Sequence, residues 1–356
     1  MPTDATPAAA ELSTKINDLD RRIRDLQSEA RLAQVADELE NLDTALNQMT
    51  PRLKEIRELG YVFGHDLEDK VTAAKRQWPA LRSGAKAQIA KQAPELQGAL
   101  KPLEVKLANL KRRQAQVPEA TRLVADTLPG VENLEARVTA AQGAIRGTFD
   151  AFKREADALS SRLTDVKRIV EWTRDGKFTP LAGEGVYAAV AAKWDRDGKD
   201  DPKGRLFLTD QRVLFERREE IATKKFLFVA TEKELVHELL LEVPVREVEG
   251  VVASDKGLLG HEDHIDIAFT HEAPIRAAHF HLDGQDNKLW VTLIERAKAG
   301  EFDKERAVKV DPAVDHSATA PTKCPSCGAN FTRPVMRGQT EIRCEFCGSV
   351  TRLGQA

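Results

Sequence analysis

The sequence predicts a multidomain chain: an elongated all-α helical bundle or coiled coil, then a β-barrel domain closed by a C-terminal helix, then a small four-cysteine module. Three observations predict it. Apolar residues recur at heptad spacing through the first 180 residues, the signature of packed helices. From Gly183 the period falls to two, the signature of strands. All four cysteines lie in CPSCGANFTRPVMRGQTEIRCEFCG, residues 324–348, as two Cys-x-x-Cys pairs.

The helical reading rests on specific seams. Leu12, Ile16, Leu19, Ile23 and Leu26 follow a 4-3-4-3 spacing. The seam slips near Ala30–Val35 and resumes at Val35, Leu39, Leu42, Leu46, Met49, Leu53 and Ile56. Thr50-Pro51 reads as a helix restart, with Thr as N-cap and Pro at the first helical position. Gly60 is expected to end that helix. The apolar turn GYVFGHD (60–66) is either a hairpin tip packed on a neighbouring helix or an exposed tip for a partner or membrane.

A second seam runs Leu96, Leu100, Leu103, Leu107 and Leu110, and one register continues in sevens to Val166. Pro118 and Leu128-Pro129-Gly130 should kink or break it. Three or four helices are therefore expected, with 131–173 the longest unbroken piece and Asp175-Gly176 its end. Residues 1–10 read as disordered and 11–176 as the helical region, a spacer or homo-oligomerisation arm. Its 29 Lys and Arg against 27 Asp and Glu over 1–180 are too balanced for a nucleic-acid or lipid arm.

In the β-region (181–302), strands are predicted at 205–209, 212–216, 226–229, 239–245, 264–269 and 275–282, with a short helix at Thr231–Glu238. An amphipathic helix over Asp286–Gly300 closes it, with Leu289, Trp290, Leu293, Ile294 and Ala297 on one face. The segments KGRLFLTDQRVLF (203–215) and EVPVREVEG (242–250), with the terminal helix around Trp290, resemble bacterial pleckstrin-homology-like and GRAM-like domains. That resemblance implies a PH-like barrel that binds phosphoinositides, other lipids or proteins. Lys193, Lys203 and Arg205 sit where lipid-binding members hold the head group. The loop between them carries Asp195, Asp197, Asp200 and Asp201, and over 181–302 the chain has 17 Lys and Arg against 24 Asp and Glu. That field repels an anionic head group, which favours protein contacts.

Five of the eight histidines lie between 261 and 281. A hairpin centred near Glu272-Ala273 would place Ile265 opposite Phe280 and Ile267 opposite Ala278 on the buried side. His264 would face His281, and Asp266 would face His279, on the other side. Those four are a candidate second metal or pH-sensing patch; the plainer reading is a solvated polar face. HEDH (261–264) is too short for a His-Glu-x-x-His helix. Gly183-Glu-Gly185 opens a strand where a dinucleotide fingerprint would follow one. No catalytic constellation is evident.

After a polar linker (303–322), Cys324, Cys327, Cys344 and Cys347 form two tight turns with 16 residues between the pairs. Four soft thiolates in a tetrahedron suit one structural Zn²⁺ with no position open for catalysis. Gly328 and Gly348 each follow a second Cys, where the backbone must curl round sulfur. Residues 323–353 look like a zinc ribbon, with Ala329–Arg343 expected as a β-hairpin turning at Arg337-Gly338. Lys323, Arg333, Arg337, Arg343 and Arg352 stand against Glu341 and Glu345, too few cations for tight phosphate binding once the thiolates are counted. Phe331 and Phe346 are expected as its minimal core or a stacking platform.

Paired cysteines suit a reducing compartment. The N-terminus has neither the basic nor the apolar region of a signal peptide, and no run approaches the ~18 apolar residues of a membrane span. The expectation is a non-enzymatic cytoplasmic scaffold or adaptor with a protein partner. The first alternative is a protein peripheral to the inner face of the membrane, binding lipid through the β-domain. The second is a nucleic-acid-associated protein using the ribbon.

Overall fold

The computed structural model describes residues 7–196, 201–226, 229–256, 262–312, 315, 320–332 and 335–353. Of the residues singled out by sequence, Asp197, Asp200, Leu227, Phe228, His261 and Arg333 lie outside the described residues. The chain divides into two compact units, Met1–Pro51 with Asp69–Arg162, and Arg52–Glu68 with Leu163–Ala356.

The first unit is a helical bundle. Its helices are α1 (Pro7–Glu29), α2 (Ala33–Glu58), α3 (Leu67–Arg112), α4 (Val117–Gly147) and α5 (Asp150–Asp175), with α2, α3 and α5 crossing into the second unit. The heptad residues of α1 and α2 form the seam, every one of them buried. The α3 helix runs antiparallel to both. Gln27 donates to Glu104 (2.6 Å), Lys111 pairs with Asp20 (2.7 Å), and the Trp78 indole N–H donates to Asp43 (2.8 Å). The α1–α2 pair lies parallel to α4: Arg22 holds Glu135 (2.6 Å) and Arg146 holds Glu38 (2.8 Å). Trp78 of α3 stacks on Phe152 of α5 with ring centroids 5.5 Å apart.

Several expected boundaries move. Helix begins at Pro7, inside the stretch expected to be disordered. The slipped seam is a true break between α1 and α2, where the buried Leu32 takes φ 55°. No restart occurs at Thr50-Pro51, because α2 runs through it. Pro129 does not break α4, and the longest helix is α3, with 46 residues, in place of 131–173. An interior proline costs about 3 kcal/mol. Burial of Val131, Leu134 and Val138 in α4 offsets that at roughly 1.5–3 kcal/mol per side chain. Gly130 allows close packing there: a Cβ on it would lie 2.8 Å from Leu103 Cδ2. The break between α4 and α5 falls at Thr148, whose hydroxyl takes the Ile145 carbonyl (2.6 Å) and so competes with the helix ladder.

The second unit is built on an antiparallel sheet. Its strands are β1 (Val186–Asp195), β2 (Lys203–Thr209), β3 (Arg212–Phe226), β4 (Val229–Pro244), β5 (Val248–Lys256), β6 (Glu262–Phe269) and β7 (Ala277–Leu282). Their order, β4-β3-β2-β1-β7-β6-β5, is two meanders joined through β1 and β7. With α6 (Asn287–Lys298) packed on β5 and β6, this is an antiparallel sheet domain closed by one C-terminal helix. Asp286 caps α6 by accepting the N–H groups of Lys288 and Leu289. Trp290 and Ile294 are fully buried beneath it. The expected short helix at Thr231–Glu238 is instead the outer part of β4, paired residue by residue with β3. The ladder satisfies the backbone groups that face β3, which an isolated turn of helix would not.

Two features of this unit were not anticipated. The end of α5 and the residues after it cover the sheet: Ile169 and Trp172 of α5, and Phe178 beyond it, pack against Phe207 and Leu214. That is why Leu206–Leu208 and Val213–Phe215 are buried without alternation. The 60–66 turn is also built in, and it packs on the β-domain where a helix was expected. Arg57 donates to the carbonyls of Tyr61 (2.9 Å), Phe63 (2.5 Å) and Gly64 (2.8 Å). Phe63 then sits, fully buried, edge-on to Tyr187 and Phe302. The first residues of the expected linker fold back on it, with Ala307 N–H donating to Val62 O (2.8 Å). Among the described residues no helix is long and apolar enough to cross a membrane.

Candidate metal centre

Each cysteine pair is shaped by the same backbone hydrogen bonds. Gly328 N donates to Cys324 O and Gly348 N to Cys344 O, both at 2.9 Å. Cys324 N donates to Ala329 O and Cys344 N to Ser349 O, both at 2.8 Å. Gly328 and Gly348 take φ 74° and 72°, the left-handed conformation their positions called for. An isolated bridge between Lys323 and Asn330 flanks the first turn. The strands β8 (Glu341–Arg343) and β9 (Val350–Arg352) flank the second. The hairpin therefore surrounds the second cysteine pair and does not span Ala329–Arg343, although Arg337-Gly338 is a turn.

These turns bring the four sulfurs within 4.8 Å of one another. Cys324 and Cys347 lie 3.7 Å apart, as do Cys327 and Cys344. A tetrahedral centre with sulfur at ~2.3 Å needs S···S separations of about 3.8 Å, so the cluster fits one metal ion. The protonation pattern agrees. The Ser349 hydroxyl hydrogen bond is the first cause drawing the Cys324 thiol down to about 6, and it lowers Cys347 as well. At Cys327 the Ala329 N–H favours the thiolate, but hydrogen bonds with Cys347, Cys344 and Cys324 push the thiol up to about 12.

The module is docked. Arg337 pairs with the buried Asp210, a carboxylate also held by Arg306, and with Asp303 (3.2 Å). Gln211 Nε2 donates to Arg337 O (3.0 Å). Gly338, at φ 77°, comes so close to Ala182 that a Cβ would lie 2.1 Å from its carbonyl oxygen. A cleft of about 740 Å³ runs between the module and the end of β4, walled by Glu242, Pro244, Phe331, Met336, Arg343 and Cys344. Phe346 is 71% exposed and is no part of a core.

The residues at the head-group positions are engaged elsewhere. Lys193 pairs with Asp201 (2.6 Å). Arg205 lies between Asp175 and the fully buried Glu216 (3.3 Å to each), with its guanidinium 4.7 Å from the Trp172 ring centroid. Lys203 is exposed. The register sets Lys193 directly opposite Lys203, with Arg205 two residues further along β2. A second buried cluster, which the sequence did not signal, joins Arg212 to Glu184 (2.5 Å) and Glu242 (2.5 Å), with Thr209 donating to Glu184 (2.6 Å).

The histidine hairpin has the expected register, with His264 opposite His281, Asp266 opposite His279, Ile265 opposite Phe280 and Ile267 opposite Ala278. Its outer face is not fully solvated. His264 is 8% exposed, with its ring stacked on His281 (4.6 Å) and His279 (4.9 Å). Glu262 joins His264 and His281, while Asp266 hydrogen-bonds His279 (2.6 Å).

No protein-family model matches the chain, and no curated protein matches it. Among solved structures it is similar to the C-terminal domain of an unknown protein from Leishmania infantum, at 17% identity over 33% of this chain and 86% of that one, TM-score 0.22. It is similar to the DH/PH domains of PDZ-RhoGEF in complex with GTP-gamma-S activated RhoA, at 12% identity over 84% and 97%, TM-score 0.26. It is also similar to the DH/PH fragment of PDZRHOGEF in complex with human RhoA, at 11% identity over 83% and 95%, TM-score 0.27. Superpositions this loose carry no functional weight, so the site must speak through its own residues.

Proposed function

We propose that this chain is a non-enzymatic cytoplasmic adaptor in which a structural Zn²⁺, held by Cys324, Cys327, Cys344 and Cys347, clips a ribbon onto a PH-like domain to form a protein-binding cleft. The observation that carries the reading is the cleft itself. Its volume of about 740 Å³ falls in the range of ligand sites. Apolar Phe331, Met336 and Ile342 share its lining with Glu242, Glu345, Arg246 and Arg343. Charges of both signs around apolar side chains suit a polypeptide better than a phosphate. The cleft also flanks β4, the edge strand of the sheet, where an extended peptide can add its own main-chain hydrogen bonds.

The lipid reading is weakened by Lys193 and Arg205, which would have to leave Asp201 and Glu216 to reach a head group. The nucleic-acid reading is weakened by Arg337, whose charge is spent on Asp210 and Asp303. The test is a photo-crosslinker at Phe331, with one at the exposed Val105 of α3 as control. A discrete polypeptide adduct from position 331 alone, lost on Ile342→Asp, supports the proposal. Salt-sensitive co-sedimentation with anionic vesicles that depends on Lys203, and no adduct, would replace it with the lipid reading.

A further inference from the structure

We infer that Glu262, His264 and His281 form a second divalent transition-metal site on the β-domain, separate from the four cysteines, with Asp266 and His279 as its positioning residues. The sheet register assembles it. His264 on β6 lies directly opposite His281 on β7. Glu262 is two residues along β6 and so shares the same face. One ligand atom from each of the three falls within 4.8 Å of the others. A two-histidine, one-carboxylate set suits Zn²⁺ or a similar borderline ion and leaves a position for water or an exogenous ligand.

Hydrogen bonds tie the set together. An ionised carboxylate only accepts, so in the 2.6 Å contact with Asp266 Oδ1 the donor is His279 Nδ1. His279 Nε2 lies 2.9 Å from His264 Nδ1, which leaves His264 Nε2 as the nitrogen that faces Glu262 Oε2, 3.3 Å away.

A tetrahedral ion with N and O ligands at ~2.0–2.2 Å holds them about 3.3–3.5 Å apart, and the 3.3 Å between His264 Nε2 and Glu262 Oε2 accommodates one. The chain from Asp266 through His279 to His264 is the outer support that metal-bound histidines commonly have. Lys193 lies opposite His281 on β1, and its charge is drawn onto Asp201 (2.6 Å).

The test uses the full chain with its four-cysteine site already loaded with zinc. Co²⁺ is added and followed by absorbance and by the histidine ring-proton NMR signals. A second equivalent should bind with weak ligand-field bands, no sulfur charge transfer, and shifts confined to His264, His279 and His281. His281→Ala and Glu262→Gln should abolish it. Asp266→Asn should weaken it about 10–100-fold, as loss of an outer-shell partner does. Wild-type protein that stays at one metal per chain, with unmoved histidine signals at 100 µM free Co²⁺, overturns the inference. So does a second equivalent that His281→Ala leaves unchanged.

Discussion

Gly338→Ala is the substitution that isolates docking of the four-cysteine module from its capacity to hold a metal. The added Cβ would lie 2.1 Å from Ala182 O, about 1.4 Å inside the ~3.5 Å of van der Waals contact. The obstruction is backbone, so no rotamer change relieves it, and the turn must retreat by roughly that distance. Alanine also resists the φ of 77° that glycine adopts there, at a cost of about 1–2 kcal/mol. Retreat pulls Arg337 from the buried Asp210 and breaks the Gln211 hydrogen bond to Arg337 O. Asp210 keeps Arg306, so losing the Arg337 contact costs about 1.5–3 kcal/mol. Docking should therefore weaken by about 2.5–5 kcal/mol, while the cysteine turns, built on their own local hydrogen bonds, persist. Trypsin cleavage after Arg337, slow in the native protein, should accelerate at least tenfold. The sulfur-to-cobalt band of the Co²⁺-loaded protein should be unchanged. Cleavage at the native rate with metal retained would refute the docked geometry.

Three further outcomes follow from particular contacts. Arg57→Ala removes the guanidinium that three carbonyls of the 61–64 turn share and should lower stability by about 2–4 kcal/mol in urea. Arg57→Lys should recover little, because an ammonium cannot fork; native stability in either variant would contradict the role given to this side chain. Gly204→Ala sets a Cβ 1.8 Å from Glu216 O, so it should part β2 from β3 and lower Tm by at least 10 °C; a Tm within 2 °C of the native value would count against that strand contact. Hydrogen bonds from Arg22 and Arg57 hold Glu135 and Glu68 below the ordinary value of 4.5. Their stabilisation is thus complete above pH 4.5 and is lost as pH falls through the lowered folded values. Glu135→Gln should flatten the acid limb of the stability curve, and an unaltered slope would rule out this coupling.

The parts legible in the sequence are those where one residue type serves one local purpose. The heptad leucines of α1 and α2, the hairpin register of His264 and His281, and the glycines after each cysteine pair all rest on spacing alone. The misplaced boundaries rest on tertiary contacts. Pro129 stays inside α4 because the helix around it buries Val131 and Leu134. Thr231–Glu238 is strand because β3 lies beside it. Docking of the four-cysteine module was hidden for the same reason: Asp210, Arg306 and Arg337 are far apart in sequence, and each alone reads as a solvated charge. Glu262 was passed over because its role appears only when two adjacent strands place it beside the histidines.

Cys344 and Gly348 belong to a turn that could hold a metal and also wall the cleft against β4. Under the proposed function, occupancy of the two sites would be thermodynamically linked. Whatever factor a metal added to a peptide's affinity, the bound peptide would add to the metal's. Chelation would then act as an off-signal for partner binding, and a saturating partner would slow metal loss from the cysteines.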